Sequence, residues 1–157
     1  MQITWFGHSC FRIDTGKSRI LIDPFLTGNP TFEKAGIPLA RAIEGITHAA
    51  LTHGHEDHTG DVVAVCKDTG APLIAVHELA TYLAGQGVDS VDPGNTGGTI
   101  YHDDFDLTFV PAWHSASRSQ TPSRPGSRLS SASCYPRSPN QCRVHGCTRQ
   151  CRRSDKD

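Results

Sequence analysis

An apolar run, Ile46-Thr47-His48-Ala49-Ala50-Leu51-Thr52, feeds directly into His53-Gly54-His55-Glu56-Asp57-His58. The run reads as a buried strand, Thr47–Thr52. Side chains that leave the end of such a strand stand on a rigid base, and Gly54 is expected to turn the chain tightly between two imidazoles. Under that constraint His53 and His55 reach one metal ion from the same side, while Asp57 and His58 face a second. Imidazole nitrogens with one carboxylate are the donors of catalytic zinc, or of manganese or iron. The chain holds nine histidines in 157 residues, so accident has to be weighed. A H-x-H-x-D-H pattern arises by chance in about two of a thousand chains of this composition, and the preceding strand argues further against accident.

The elements around the motif follow from turn residues and periodicity. Strands are expected at Gln2–Phe6, Cys10–Asp14 and Ser18–Asp23, with turns at Gly7-His8-Ser9 and Thr15-Gly16-Lys17. A loop carrying Gly28-Asn29-Pro30 and Pro38 leads to the strand before the motif. A helix is expected at Thr59–Asp68 with Val62, Val63 and Cys66 on one face, then a strand at Pro72–Val76 and a helix at His77–Ala84 ended by Gly85. Gly98–His102 and Phe105–Pro111 read as a hairpin around Asp103-Asp104. Strands first and βα units afterwards imply a layered α/β fold whose loops gather at one sheet edge.

Composition divides the chain near Gln120–Pro122. Residues 1–121 carry seven Lys+Arg and fourteen Asp+Glu, a balance of −7, whereas residues 122–157 carry eight Lys+Arg and two Asp, a balance of +6. The tail has only Leu129 and Val144 among Val, Ile, Leu and Phe, and is rich in Ser, Pro and Arg. So little apolar surface cannot offset the entropy of ordering, and the tail is expected to be disordered. Cys134, Cys142, His145, Cys147 and Cys151 match no paired C-x2-C zinc framework. Positive charge could attract phosphates, but aromatic support is limited to Tyr135, which argues against nucleic-acid recognition by stacking. The amino terminus lacks the basic and apolar regions of a signal peptide, and no run reaches membrane-spanning length. Cys10 and Cys66, widely separated, read as buried thiols of a reducing compartment, which places the chain in the cytoplasm.

Four segments together resemble the metallo-β-lactamase superfamily: Trp5-Phe6-Gly7-His8-Ser9-Cys10-Phe11, Ile20-Leu21-Ile22-Asp23-Pro24, His53–His58, and Pro111-Ala112-Trp113-His114-Ser115. Within it residues 1–121 look most like the metal-dependent hydrolases related to ascorbate-6-phosphate lactonase. The resemblance implies an αββα sandwich, of which this chain matches the amino-terminal half, with a dinuclear metal site at one edge. It assigns His53, His55 and His114 to the first metal and Asp57 and His58 to the second, with Asp23 orienting a ligand imidazole. His8 is either a substrate contact or a turn residue. The family's later Gly-Asp-Thr-like segment, whose Asp bridges the metals, and its final metal-binding His have no match, so residues 122–157 read as a substituted sequence such as a shifted reading frame.

The implied activity is hydrolysis of an ester, lactone or phosphodiester in a small-molecule substrate by a metal-activated water, with Asp57 and His58 at the reaction centre. A metal-binding remnant without catalysis and a nucleic-acid binder acting through the tail are the alternatives. Ser9 and Ser115 lack acid/base partners and read as turn residues, His48 as a packed strand residue, and His77 as a capping or surface residue. An uncovered sheet face is expected to drive oligomerisation or aggregation.

Overall fold

The computed structural model describes residues 1–111, all within the compact unit Met1–Thr121. Its six-stranded sheet runs in the order β1-β2-β3-β4-β5-β6: β1 (Gln2–Gly7), β2 (Cys10–Asp14), β3 (Arg19–Ile22), β4 (His48–Ala50), β5 (Leu73–Val76) and β6 (Val91–Gly94). The first three are joined by tight turns and pair antiparallel, and β3 to β6 pair parallel through helical crossovers. Because β1 and β2 each reverse direction, β1 runs parallel to β3 and β4. The carboxyl ends of these three strands therefore lie at one edge of the sheet, where α/β folds place their ligands.

Alternation along the strands sorts side chains between two faces. One register line runs Leu21, Ala49, Leu73 and Val91, and that face packs under the helices. Here α4 (Val62–Thr69) buries Val62, Val65 and Cys66, and α5 (His77–Ala84) buries Ala80 and Leu83. Leu21 and Leu73 are fully enclosed, each contributing about 1.5–3 kcal/mol by leaving water. On the opposite face Ile20, Ile22, Ile74 and Val76 pack beneath a separate hairpin of β7 (Thr99–Tyr101) and β8 (Asp106–Thr108), joined by Phe105, Leu107 and Phe109. The same register line continues through Phe11 and Trp5, yet Ile3 and Trp5 are both 58% exposed. Among the described residues, that end of the face has no apolar cover.

Three stretches depart from the sequence expectation. The segment between β3 and β4 was expected to be a loop but contains α1 (Pro30–Ala35) and α2 (Leu39–Ile43). The Asn29 side chain accepts from Thr31 and Phe32 N–H, Pro30 opens α1, and Gly36 closes it in the left-handed region. The expected helix Thr59–Asp68 is two pieces, α3 (Glu56–Thr59) and α4, broken at Gly60-Asp61, and Val65 rather than Val63 completes its buried face. Strand β6 was missed because Pro93 interrupts its pattern, and a proline is tolerated there since β6 is an edge strand. His77 opens α5 as an exposed residue without a side-chain cap.

Candidate metal centre

The motif begins where β4 ends and is held by groups from β3 and the β1–β2 turn. After Ile22 the chain enters Asp23 with φ 47°, and the Asp23 N–H donates to Ala50 O at 2.9 Å. The Asp23 side chain is 1% exposed and accepts from Thr52 N–H at 2.8 Å and from the Thr52 hydroxyl at 2.7 Å. The same carboxylate lies 2.8 Å from His58 Nδ1, which leaves Nε2 of that ring as its other nitrogen. A buried carboxylate on one ring nitrogen is how proteins fix the tautomer and aim of a metal-binding imidazole.

Four imidazoles stand in file along this edge. Ring centroids are 4.9 Å apart from His8 to His58, 4.0 Å from His58 to His53, and 4.6 Å from His53 to His55. His53 Nε2 and His55 Nδ1 approach to 2.9 Å, so the two rings converge on one point. The Thr52 hydroxyl sits 3.0 Å from His53 Nδ1 and links this ring to Asp23. Asp57, on the first turn of α3, reaches His8 Nε2 at 3.2 Å. Ligand atoms of His8, Asp57 and His58 all lie within 4.8 Å of one another. Imidazole and carboxylate donors set this close, with one imidazole fixed from behind by a buried carboxylate, form a donor set that suits a divalent transition ion.

Sequence reasoning brought His53, His55, Asp57, His58, Asp23 and His8 to this place, and the fold gathers all six. His114 lies outside the described residues, as do Ser115 and the tail cysteines. Gly54 was expected to turn the chain tightly between the imidazoles, but no turn falls at this position. It is a buried residue without positive φ, and a Cβ there would meet Leu79 Cδ1 at 3.4 Å, an ordinary van der Waals contact. Thr52 and Asp61 were not foreseen. The Asp61 carboxylate accepts from Leu26 and Thr27 N–H at 2.7 and 2.8 Å, and its own N–H donates to Pro24 O, clamping the segment after Asp23. Its place two residues after His58-Thr59 was the only sequence cue. Burial pushes the Cys10 thiol up to about 12 and the Cys66 thiol up to about 11, so neither offers a thiolate near neutral pH.

The family model of the metallo-beta-lactamase superfamily matches residues 3–117. The chain belongs to that superfamily. It is 56% identical over 116 residues to a Brucella anthropi protein named as a UPF0173 metal-dependent hydrolase, a match covering 74% of this chain and 48% of the relative. A Brucella ovis protein of the same name is 55% identical over 116 residues, with the same coverage. Among solved structures, Igni18, a metallo hydrolase from Ignicoccus hospitalis, superposes with a TM-score of 0.65 at 32% identity, covering 73% of this chain and 49% of that one. The chain thus spans about half the length of the curated relatives it matches.

Proposed function

We propose that residues 1–121 are the metal-binding part of a metal-dependent hydrolase that cleaves an ester, lactone or phosphodiester in a small molecule. One observation carries this reading: His53 Nε2 and His55 Nδ1 converge beside a His58 ring that the buried Asp23 carboxylate aims. His53 and His55 would hold a first ion, completed by His114, and Asp57 and His58 would hold a second. Zinc suits these donors, and manganese or iron can replace it. When bound, the ions supply Lewis-acid activation of water and of the scissile group. The chain's own residues supply the rest. Asp57 is exposed at the mouth of the site, placed to accept a proton from an attacking water and to orient it. Asp23 and Thr52 hold the His58 and His53 rings in position while the substrate enters from the open side. We place the protein in the cytoplasm, in keeping with Cys10 and Cys66 as buried free thiols.

A second reading, that these 157 residues by themselves bind metal without turnover, is supported by one specific fact: the matched segment is about half of each relative. A side-by-side assay separates the two. The 157-residue chain and a version carrying a relative's second half are supplied with zinc or manganese and given lactone, ester and phosphodiester substrates. We expect hydrolysis by the completed version, little or none by the 157-residue chain, and loss of turnover in the completed version on Asp57→Ala. A completed version that binds metal yet hydrolyses none of these classes would contradict the hydrolase reading.

A further inference from the structure

We infer that His8 is a metal ligand, so that His8, Asp57 and His58 form a three-donor divalent-cation site contained within the first 58 residues; the inference rests on the metal-dependent reading above. Family resemblance leaves the second ion with only Asp57 and His58 from this part of the chain. The fold adds a third donor, the His8 imidazole, whose ring centroid lies 4.9 Å from that of His58. His8 Nε2 lies 3.2 Å from Asp57 Oδ2, and the His8 and His58 rings meet nearly edge to face at 79°. The side chains of His8 and Asp57 are 40% and 52% exposed, which leaves open positions as a catalytic ion requires.

A surface His–Asp pair could form without any ion, so the construction of the turn decides the matter. Among the described residues, His8 and Asp23 are the two non-glycine residues with positive φ, at 50° and 47°, and both side chains converge on His58. Such backbone strain persists where surrounding structure over-determines it, and it clusters at functional sites. The His8 turn is over-determined three times. The β1–β2 register shifts between Trp5 and Gly7, a bulge of the kind that re-aims a side chain beside an active site. The Trp5 indole N–H donates to His8 O at 2.9 Å. Gly7 lies so close to α1 that a Cβ would come within 2.5 Å of Thr31 Cβ. A solvent-facing ion pair needs none of this, whereas a ligand imidazole does.

The test is Co2+ titration of the full chain, followed by equilibrium dialysis and visible absorption. Wild type is expected to hold two ions, and His53→Ala/His55→Ala to keep one, the ion at His8, Asp57 and His58. Adding His8→Asn to that double variant should weaken the remaining ion by about 10-fold or more and change its absorption band. Asn tolerates the left-handed backbone, so His8→Asn preserves the turn, and an unchanged melt will verify this. His8→Asn alone should leave the tighter ion untouched. Equal affinity with and without His8→Asn, or no ion left in the double variant, overturns the inference about His8. Equal binding by wild type and His53→Ala/His55→Ala would instead overturn the underlying assignment of the first ion.

Discussion

Asp23 shows how much of the centre depends on a residue 35 positions before the histidine it holds, His58. Its carboxylate joins Thr52 N–H, the Thr52 hydroxyl and His58 Nδ1, and its backbone is tied to Ala50. Asp23→Asn keeps the volume but removes the charge that opposes the imidazole. Zinc affinity should fall about 10–100-fold, measured by competition with a chelator. An unchanged affinity would mean that His58 aims itself. Asp23→Ala should also destabilise the fold by about 1–3 kcal/mol, because the Thr52 N–H loses its acceptor. Asp23 came only through the family resemblance, whereas the motif residues were legible from sequence, since residue types and spacing name candidate donors directly. Thr52 and Asp61 were not, because a hydroxyl behind a ligand and a carboxylate clamping a loop leave no pattern until the strands are side by side.

At the scale of elements, strands with clean alternation and tight turns were legible, and what escaped was punctuated by proline or glycine. Helix α1 had its signals in place, Asn29 as cap, Pro30 at the first turn and Gly36 at the end, but its apolar content reduces to Phe32, so periodicity stayed silent. Asn29→Ala should cost about 1 kcal/mol in urea unfolding and loosen the wall against Gly7. Gly7→Ala combines a φ of 109° with the contact at Thr31, and should cost more than Asn29→Ala. If the two melt alike, the close approach is not a constraint.

The β7–β8 hairpin is fastened by Asp104, which accepts from Ser18 N–H at 3.0 Å, from the Ser18 hydroxyl at 2.6 Å and from the Thr15 hydroxyl. These bonds hold the Asp104 carboxyl below the usual range, and Arg19 does the same for Asp14. Both carboxylates lend stability that is present above the ordinary carboxylate pKa of 3.8 and lost as pH falls through their lowered values. Burial lowers the His48 pKa where its ring packs against His102 and Phe105. Here the neutral form is favoured in the fold, so stability is complete above the ordinary imidazole value of 6.5 and declines as pH falls through the lowered one. Urea midpoints should therefore decline in two stages on acidification, and His48→Phe should remove the upper stage. Persistence of that stage would assign it to another group.

For the whole molecule, the exposed sheet surface is the main liability. Ile3, Trp5 and Phe11 share one face at the β1–β2 end, and β1 is an edge strand. The 157 residues should self-associate through this apolar surface, and Trp5→Lys should shift them toward monomer in light scattering after size exclusion. A monomeric wild type would show the surface to be covered.

Metal content tests the account most directly. The purified 157-residue chain, loaded with zinc and dialysed, is measured by elemental analysis beside His53→Ala/His55→Ala. Wild type is expected to hold one ion more per chain than the double variant, the difference being the tight ion of His53 and His55. Equal metal content in wild type and the double variant would contradict the centre built at the end of β4.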